Sequence, residues 1–238
     1  MQADLEFLSE QALLVRLGES ISMPVNARVH QLADRLRSAS LPALEDLVPA
    51  YASLLVRFDA GALQSAGATI ESMARAVASL IENDEASCAS NLAPSRQHRI
   101  PVCYEADCAP DLQAVAAVTG LDIEEVVRRH HAPEYRVAML GFAPGFAYLL
   151  GLDPVLAVPR RDDPRTCVPA GSVAIGGEQT GIYPTALPGG WQLIGRTPLR
   201  MFDPSDPRHP CRLLPGDRVR FFPVDKTRMV HMQDGQGT

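Results

Sequence analysis

The chain is poor in lysine. Lys226 is the single one among 22 lysine and arginine residues in a sequence of 238. A Walker A loop needs a lysine directly after its closing glycine, so Gly176 to Gly181 is not a P-loop. Any phosphate bound here is held by arginine and backbone amides. Blocks of basic residues are missing too, and the formal net charge is −6, which argues against a nucleic-acid footprint. No apolar run reaches the length of a membrane helix. The opening MQADLEFLSEQ carries acids where a secretory leader would carry a basic segment, so a cytoplasmic location is expected. The five cysteines are an odd number without a C-x-x-C pair, as in a protein with reduced thiols. Cys103 and Cys108 have no second pair to complete a metal site, and no metal is expected.

What is present falls into two textures. Residues 1–85 read as a small α+β domain. Leu5–Leu8, Ala12–Leu17, Leu44–Val48 and Ser53–Phe58 have strand character. A helix follows Ser22, a candidate N-cap, with Pro24 in its first turn and Val25, Val29, Leu32 and Leu36 on one face. A second helix follows Thr69. Two helices on one antiparallel sheet is the economical packing. Residues 86–95 are polar and aperiodic and read as a linker.

Residues 96–238 form the second domain. A strand over Arg99–Tyr104 leads to helices after Asp111 and Asp122. Glu125 stands at the capping-box position of the latter. His130 falls on that helix's buried stripe with Ile123, Val126 and Val127, and Pro133 ends it. From Tyr135 onward come short strands with Gly/Pro turns, the pattern of a closed or nearly closed β-barrel.

Val168 to Pro198 holds seven of the seventeen glycines, four prolines and the only tryptophan. A barrel with tight corners needs such residues. Corners alone do not explain why Gln179, Thr180, Tyr183 and Arg196 share those loops. Polar groups on glycine-rich loops over a rigid barrel make a binding site. Upstream, Arg160 and Arg165 suit capture of a carboxylate or phosphate; neutralisation by Asp162 and Asp163 in a solvated turn is an equal reading for Arg165 and the expected one for Arg161. Phe142, Gly145 and Phe146 could wall a pocket or plug the barrel end. His130 is the best-placed acid/base residue; the competing reading is a core histidine satisfied by a carbonyl. Ser172 is not in a nucleophile elbow, since the local string is P-A-G-S-V.

The strings GFAPGFAYL, PRRDDPRTCVPAGSVAIGGEQTGIYP and PGGWQLIGRTPLRMFDP are specific. They resemble the family of the 5-oxoprolinase B subunit and the KipI sporulation-kinase inhibitor, also called allophanate hydrolase subunit 1, a module found within the carboxyltransferase part of urea carboxylase. The resemblance covers nearly the whole chain. It implies an α+β fold: a small N-terminal α+β sandwich followed by a cyclophilin-like β-barrel. It also implies a subunit that works with A and C subunits and ATP to open 5-oxoproline to glutamate. ATP with Mg²⁺ would serve the assembled complex, with none tightly bound to this chain.

Two departures from the pattern are Leu150 and His131, where relatives often have a glycine and a small hydroxyl residue. On this basis His130, Gln179 and Arg165 are the expected catalytic residues. Phe142, Gly145, Phe146, Arg160, Gly171, Ser172, Thr180, Tyr183, Trp191, Arg196 and Thr197 are expected to bind a small anionic cyclic amide or nucleotide. The alternative is a KipI-like inhibitor that binds a sensor histidine kinase. Prolyl isomerase activity would rest on fold alone and ranks last.

Overall fold

A computed structural model describes residues 3–82 and 95–234. The expected linker at 86–95 lies, apart from Ser95, outside the described residues. The chain divides into two compact units, Met1–Ser95 and Arg96–Thr238.

In the first unit the strands are β1 (Asp4–Ser9), β2 (Ala12–Arg16), β3 (Leu44–Pro49) and β4 (Ser53–Phe58). They form one antiparallel sheet in the order β1-β2-β4-β3. Alternation along β2 and β4 turns Leu13, Val15, Leu54, Val56 and Phe58 into the core, fully buried. Helix α1 (Met23–Ser38) brings Val25, Val29, Leu32 and Leu36 to that core, and α3 (Ile70–Glu82) brings Met73 and Val77. Ser22 caps α1 by accepting from the Val25 amide at 3.4 Å. A six-residue helix α2 (Ala60–Ser65), capped by Asp59, is not legible in the sequence. Its apolar content is a single buried residue, Leu63, too little to set a period.

The second unit begins with β5 (Gln97–Val102), α4 (Leu112–Thr119) and α5 (Ile123–His131). The strands β6 (Tyr135–Leu140), β7 (Ala147–Leu150), β8 (Arg165–Val168), β9 (Ser172–Gly176), β10 (Gln179–Ile182), β11 (Leu187–Gly189), β12 (Gln192–Arg196) and β13 (Arg218–Pro223) follow, then α6 (Lys226–Asp234). Seven strands lie in the order β12-β9-β10-β7-β6-β13-β5, and β8 pairs with β11 as a separate ribbon. Every pairing is antiparallel except β13 with β5.

The two edges of the seven-stranded sheet meet just beyond β5. Cys103 and Arg196 exchange both backbone hydrogen bonds, N–H to O at 2.8 and 2.9 Å. That bridge closes the ring, as the run of short strands predicts. Val137, Leu149, Val173, Ile175, Ile182, Ile194, Val219 and Phe221 fill the interior with Ile100 and Val102.

Asp122 caps α5 by accepting from the Glu125 amide at 2.7 Å. The return bond of a capping box is replaced. The Glu125 carboxylate binds Arg128 and Arg129, each at 2.6 Å, which pulls its pKa down to about 2.

Candidate functional site

Strand pleat sorts β9 into two faces. Val173 and Ile175 enter the barrel, so Ser172, Ala174 and Gly176 face outward. A floor this small lets large rings lie against the backbone. A Cβ on Gly176 would stand 2.6 Å from the Trp191 indole, and one on Gly181 would stand 3.2 Å from the Phe146 ring. Phe146, Tyr183 and Trp191 pack there with Val168, Ala174 and Leu193. The Phe146 ring meets Tyr183 edge-on at 5.2 Å and Trp191 at 5.6 Å.

Two more groups continue this surface toward solvent. The Arg160 guanidinium sits 5.6 Å from the centre of the Trp191 ring, a cation–π contact. Phe142 is 63% exposed and adopts φ +69°, a left-handed conformation that non-glycine residues rarely take. Burial pushes the Tyr183 phenol above its ordinary pKa, while the Trp191 amide and the charge of Arg160 oppose that rise.

Asp111 anchors the charged end of the face. It precedes α4 and is 4% exposed. Its two carboxylate oxygens accept from Arg165 at 2.7 Å, Arg161 at 3.2 Å and the Leu193 amide at 2.7 Å. The expected neutralisation of Arg161 by Asp162 and Asp163 is therefore corrected: its carboxylate partner is Asp111, fifty residues back. One arginine nitrogen remains over, since Nη1 of Arg165 is buried without a hydrogen-bond partner.

Three residues beyond Leu193 on the same strand, Arg196 stands opposite Ser172 in the β12–β9 register. The Nε of Arg196 and the Oγ of Ser172 are likewise buried and unpartnered. Most buried polar groups in folded proteins find a partner, so these three atoms stand out as candidates for a ligand contact. Gly171, at φ +78°, makes the approach possible: a Cβ there would lie 2.4 Å from the Thr197 carbonyl oxygen. Gly171 and Thr197 also line a cavity of about 530 Å³ with Pro184, Arg200 and Phe202.

His130 lies elsewhere, fully buried inside the barrel. Its Nε2 is 3.1 Å from Thr180 Oγ1, its Nδ1 is 2.9 Å from the Tyr104 hydroxyl, and its ring stacks on Phe221 at 4.9 Å. Burial, with a smaller contribution from His131, pushes its pKa down to about 3.

The expected site residues thus fall into separate groups. Arg160, Arg165, Phe142, Phe146, Tyr183 and Trp191 share the outer face, with Ser172 and Arg196 at one end of it. His130 and Thr180 meet in the interior. Gln179 opens β10 opposite Gly176, at the far end of β9 from Ser172. Gly145, at φ +79°, packs against Phe202. Three residues escape the sequence pattern. Asp111 reads there only as a helix start, and Tyr104 only as a strand end. Tyr148, whose ring lies 4.8 Å from Phe146, carries no signal beyond alternation.

A family profile described as the carboxyltransferase domain, subdomain C and D, matches residues 3–213. The chain belongs to this carboxyltransferase domain family. It is 40% identical over 228 residues to a Bacillus subtilis (strain 168) protein named as the B subunit of 5-oxoprolinase, covering 93% of each. It is 42% identical over 220 residues to a protein of the same name from Escherichia coli O157:H7, covering 91% of this chain and 94% of that one. Among solved structures, TTHA0988 superposes with a TM-score of 0.74 at 39% identity. The match covers 90% of this carboxyltransferase domain and 40% of that longer chain. Kluyveromyces lactis urea carboxylase shares the fold, with a TM-score of 0.75 at 22% identity over 98% of this chain and 22% of its own.

Proposed function

We propose that this chain is the B subunit of an ATP-dependent 5-oxoprolinase, which acts with A and C subunits in the cytoplasm to open 5-oxoproline to L-glutamate. The carrying observation is the outer barrel face, where Ser172, Arg165 and Arg196 hold buried, unpartnered polar atoms beside an aromatic cluster. The names of relatives about 40% identical over nine-tenths of the chain support the reading.

A lactam is a poor electrophile, and ring opening adds water across its C–N bond to give an amine and a carboxylate. ATP supplies the activation in the assembled complex. The buried carboxylate of this face, Asp111, is already engaged through both oxygens and is not free to hold Mg²⁺ for ATP. No nucleotide step is assigned to this chain. Its part is to bind and orient a small anionic ring, and alone it is inactive. His130, Gln179 and Arg165 remain the catalytic candidates within the complex.

The test is 5-oxoproline-dependent ATP hydrolysis by the A, B and C subunits with this chain present and then omitted. Activity only in its presence supports the reading. Equal activity without it, or a complete set that ignores 5-oxoproline, overturns it. Binding to a sensor histidine kinase is the competing role, and the names of the relatives do not favour it.

A further inference from the structure

Arg196 is a half-buried guanidinium on the barrel wall. Among the described residues no carboxylate pairs with it, whereas Arg161 and Arg165 both pair with Asp111. The Nε of Arg196 is buried without a partner, which is costly for a charged group, and an anion is one remedy. The side chain directly opposite is Ser172, 1% exposed, whose hydroxyl has no partner either. Both groups are donors. The backbone around them is engaged in its own ladder: Tyr183 N–H with the Ser172 carbonyl, Gly171 N–H with the Tyr183 carbonyl, and Thr197 N–H with the Gly171 carbonyl.

We infer that Arg196 and Ser172 form a subsite for the carboxylate of the small cyclic substrate, with Asp111 acting as the positioning residue that holds both Arg165 and the strand bearing Arg196. This rests on the functional reading above and deepens it. Asp111 binds Arg165 through Nη2 and leaves the buried Nη1 free. It also clamps Leu193, three residues before Arg196, through both backbone groups: its carboxylate accepts the Leu193 N–H and its own N–H donates to the Leu193 carbonyl at 3.0 Å. One acid thus fixes the second arginine and the strand that bears the first.

A carboxylate fits better than the polyphosphate of ATP. The donors are one neutral hydroxyl and two arginine nitrogens, and Asp111, which holds one of those arginines, is engaged through both oxygens. Three donors match the two oxygens of one carboxylate and are too few for the oxygens of a triphosphate. The Gly171 turn keeps the Thr197 carbonyl close against it and opens onto the adjacent cavity.

The experiment compares Arg196→Met, Arg196→Lys and Ser172→Ala in the assembled complex, with KM measured separately for 5-oxoproline and for ATP. Loss of a charged hydrogen bond is expected to raise the 5-oxoproline KM about 10- to 100-fold, with the ATP KM unchanged. 2-Pyrrolidinone, which lacks the carboxylate, should be a poor substrate that these variants impair no further. Asp111→Asn should raise the same KM, by less. A rise in the ATP KM instead, or an unchanged 5-oxoproline KM in a folded variant, overturns the assignment. Thermal melts report folding, and if Arg196→Met does not fold, Ser172→Ala and Arg196→Lys carry the test. If the wild-type complex shows no 5-oxoproline-dependent hydrolysis, the functional reading is what fails. The subsite is then decided by fluorescence of Trp191 during titration of the full chain with acetate and with inorganic phosphate. A saturable acetate response lost in Arg196→Met supports it; no response, or one that persists in the variant, overturns it.

Discussion

The Nε2 of His130 lies 3.1 Å from Thr180 Oγ1, and that hydroxyl already donates to the Ala174 carbonyl at 2.9 Å. A hydroxyl has one proton to give, so toward His130 it must accept. Nε2 therefore carries the imidazole hydrogen, and Nδ1 accepts from Tyr104, whose phenol is held protonated by burial. The histidine is neutral and its tautomer is fixed.

That chain predicts a spectroscopic result. Long-range proton–nitrogen NMR at pH 5.5 should show His130 as the neutral Nε2–H tautomer. It should also cost stability in acid. A histidine with an ordinary pKa of about 6.5 binds a proton in the unfolded chain before it does so in the fold, where its pKa is about 3. Its contribution is complete above about pH 6.5 and is lost as pH falls toward 3. Melting temperatures across that window should drop less steeply for His130→Gln than for the wild type.

Two glycines with similar backbone angles should respond differently to alanine. Gly171 has φ +78° and a carbonyl oxygen 2.4 Å from the new methyl; Gly177 has φ +64° and nothing within 4 Å. Gly177→Ala should cost about 1 kcal/mol, from the left-handed conformation alone. Gly171→Ala should cost at least ~2 kcal/mol more, because Thr197 has to move. Urea denaturation of the two variants measures the difference.

Asp111→Asn keeps an acceptor for the Leu193 amide but removes the charge facing two arginines. A loss of about 2–3 kcal/mol is expected, since breaking a buried pair strands its partner and partial exposure of Arg161 and Arg165 softens the effect. Chemical denaturation checks this. An unchanged midpoint would mean the arginines are solvated instead of held.

Phe142 stands strained and exposed at φ +69°. Phe142→Gly removes the strain and the edge contact with Phe146 at 5.4 Å together, so stability should shift by no more than ~1 kcal/mol. If the ring is displayed for a ligand or another polypeptide of the complex, activity should fall well beyond that small change. Parallel melting and turnover measurements separate the two.

The sequence carried the architecture because periodicity reports burial. The α1 stripe, the Ser22 cap and the glycine-punctuated strands all follow from local patterns. The site was legible in composition but not in grouping. Gln179 and Tyr183 are four residues apart, yet they lie at opposite ends of a strand; Thr180, one residue from Gln179, points inward. Pleat decides such matters only once the register is known. Asp111 was hidden for another reason. Its partners Arg161 and Arg165 lie fifty or more residues downstream, while the nearer acids Asp162 and Asp163 offered a local and mistaken explanation.

The ring of seven strands is sealed by the two hydrogen bonds between Cys103 and Arg196. Every other junction has at least two paired positions, so this hoop has a clasp. The residue that fastens it from the main chain also extends its side chain toward the inferred carboxylate. An occupied subsite would thus brace the clasp, and amide exchange at Cys103 and Arg196 would slow when substrate is bound.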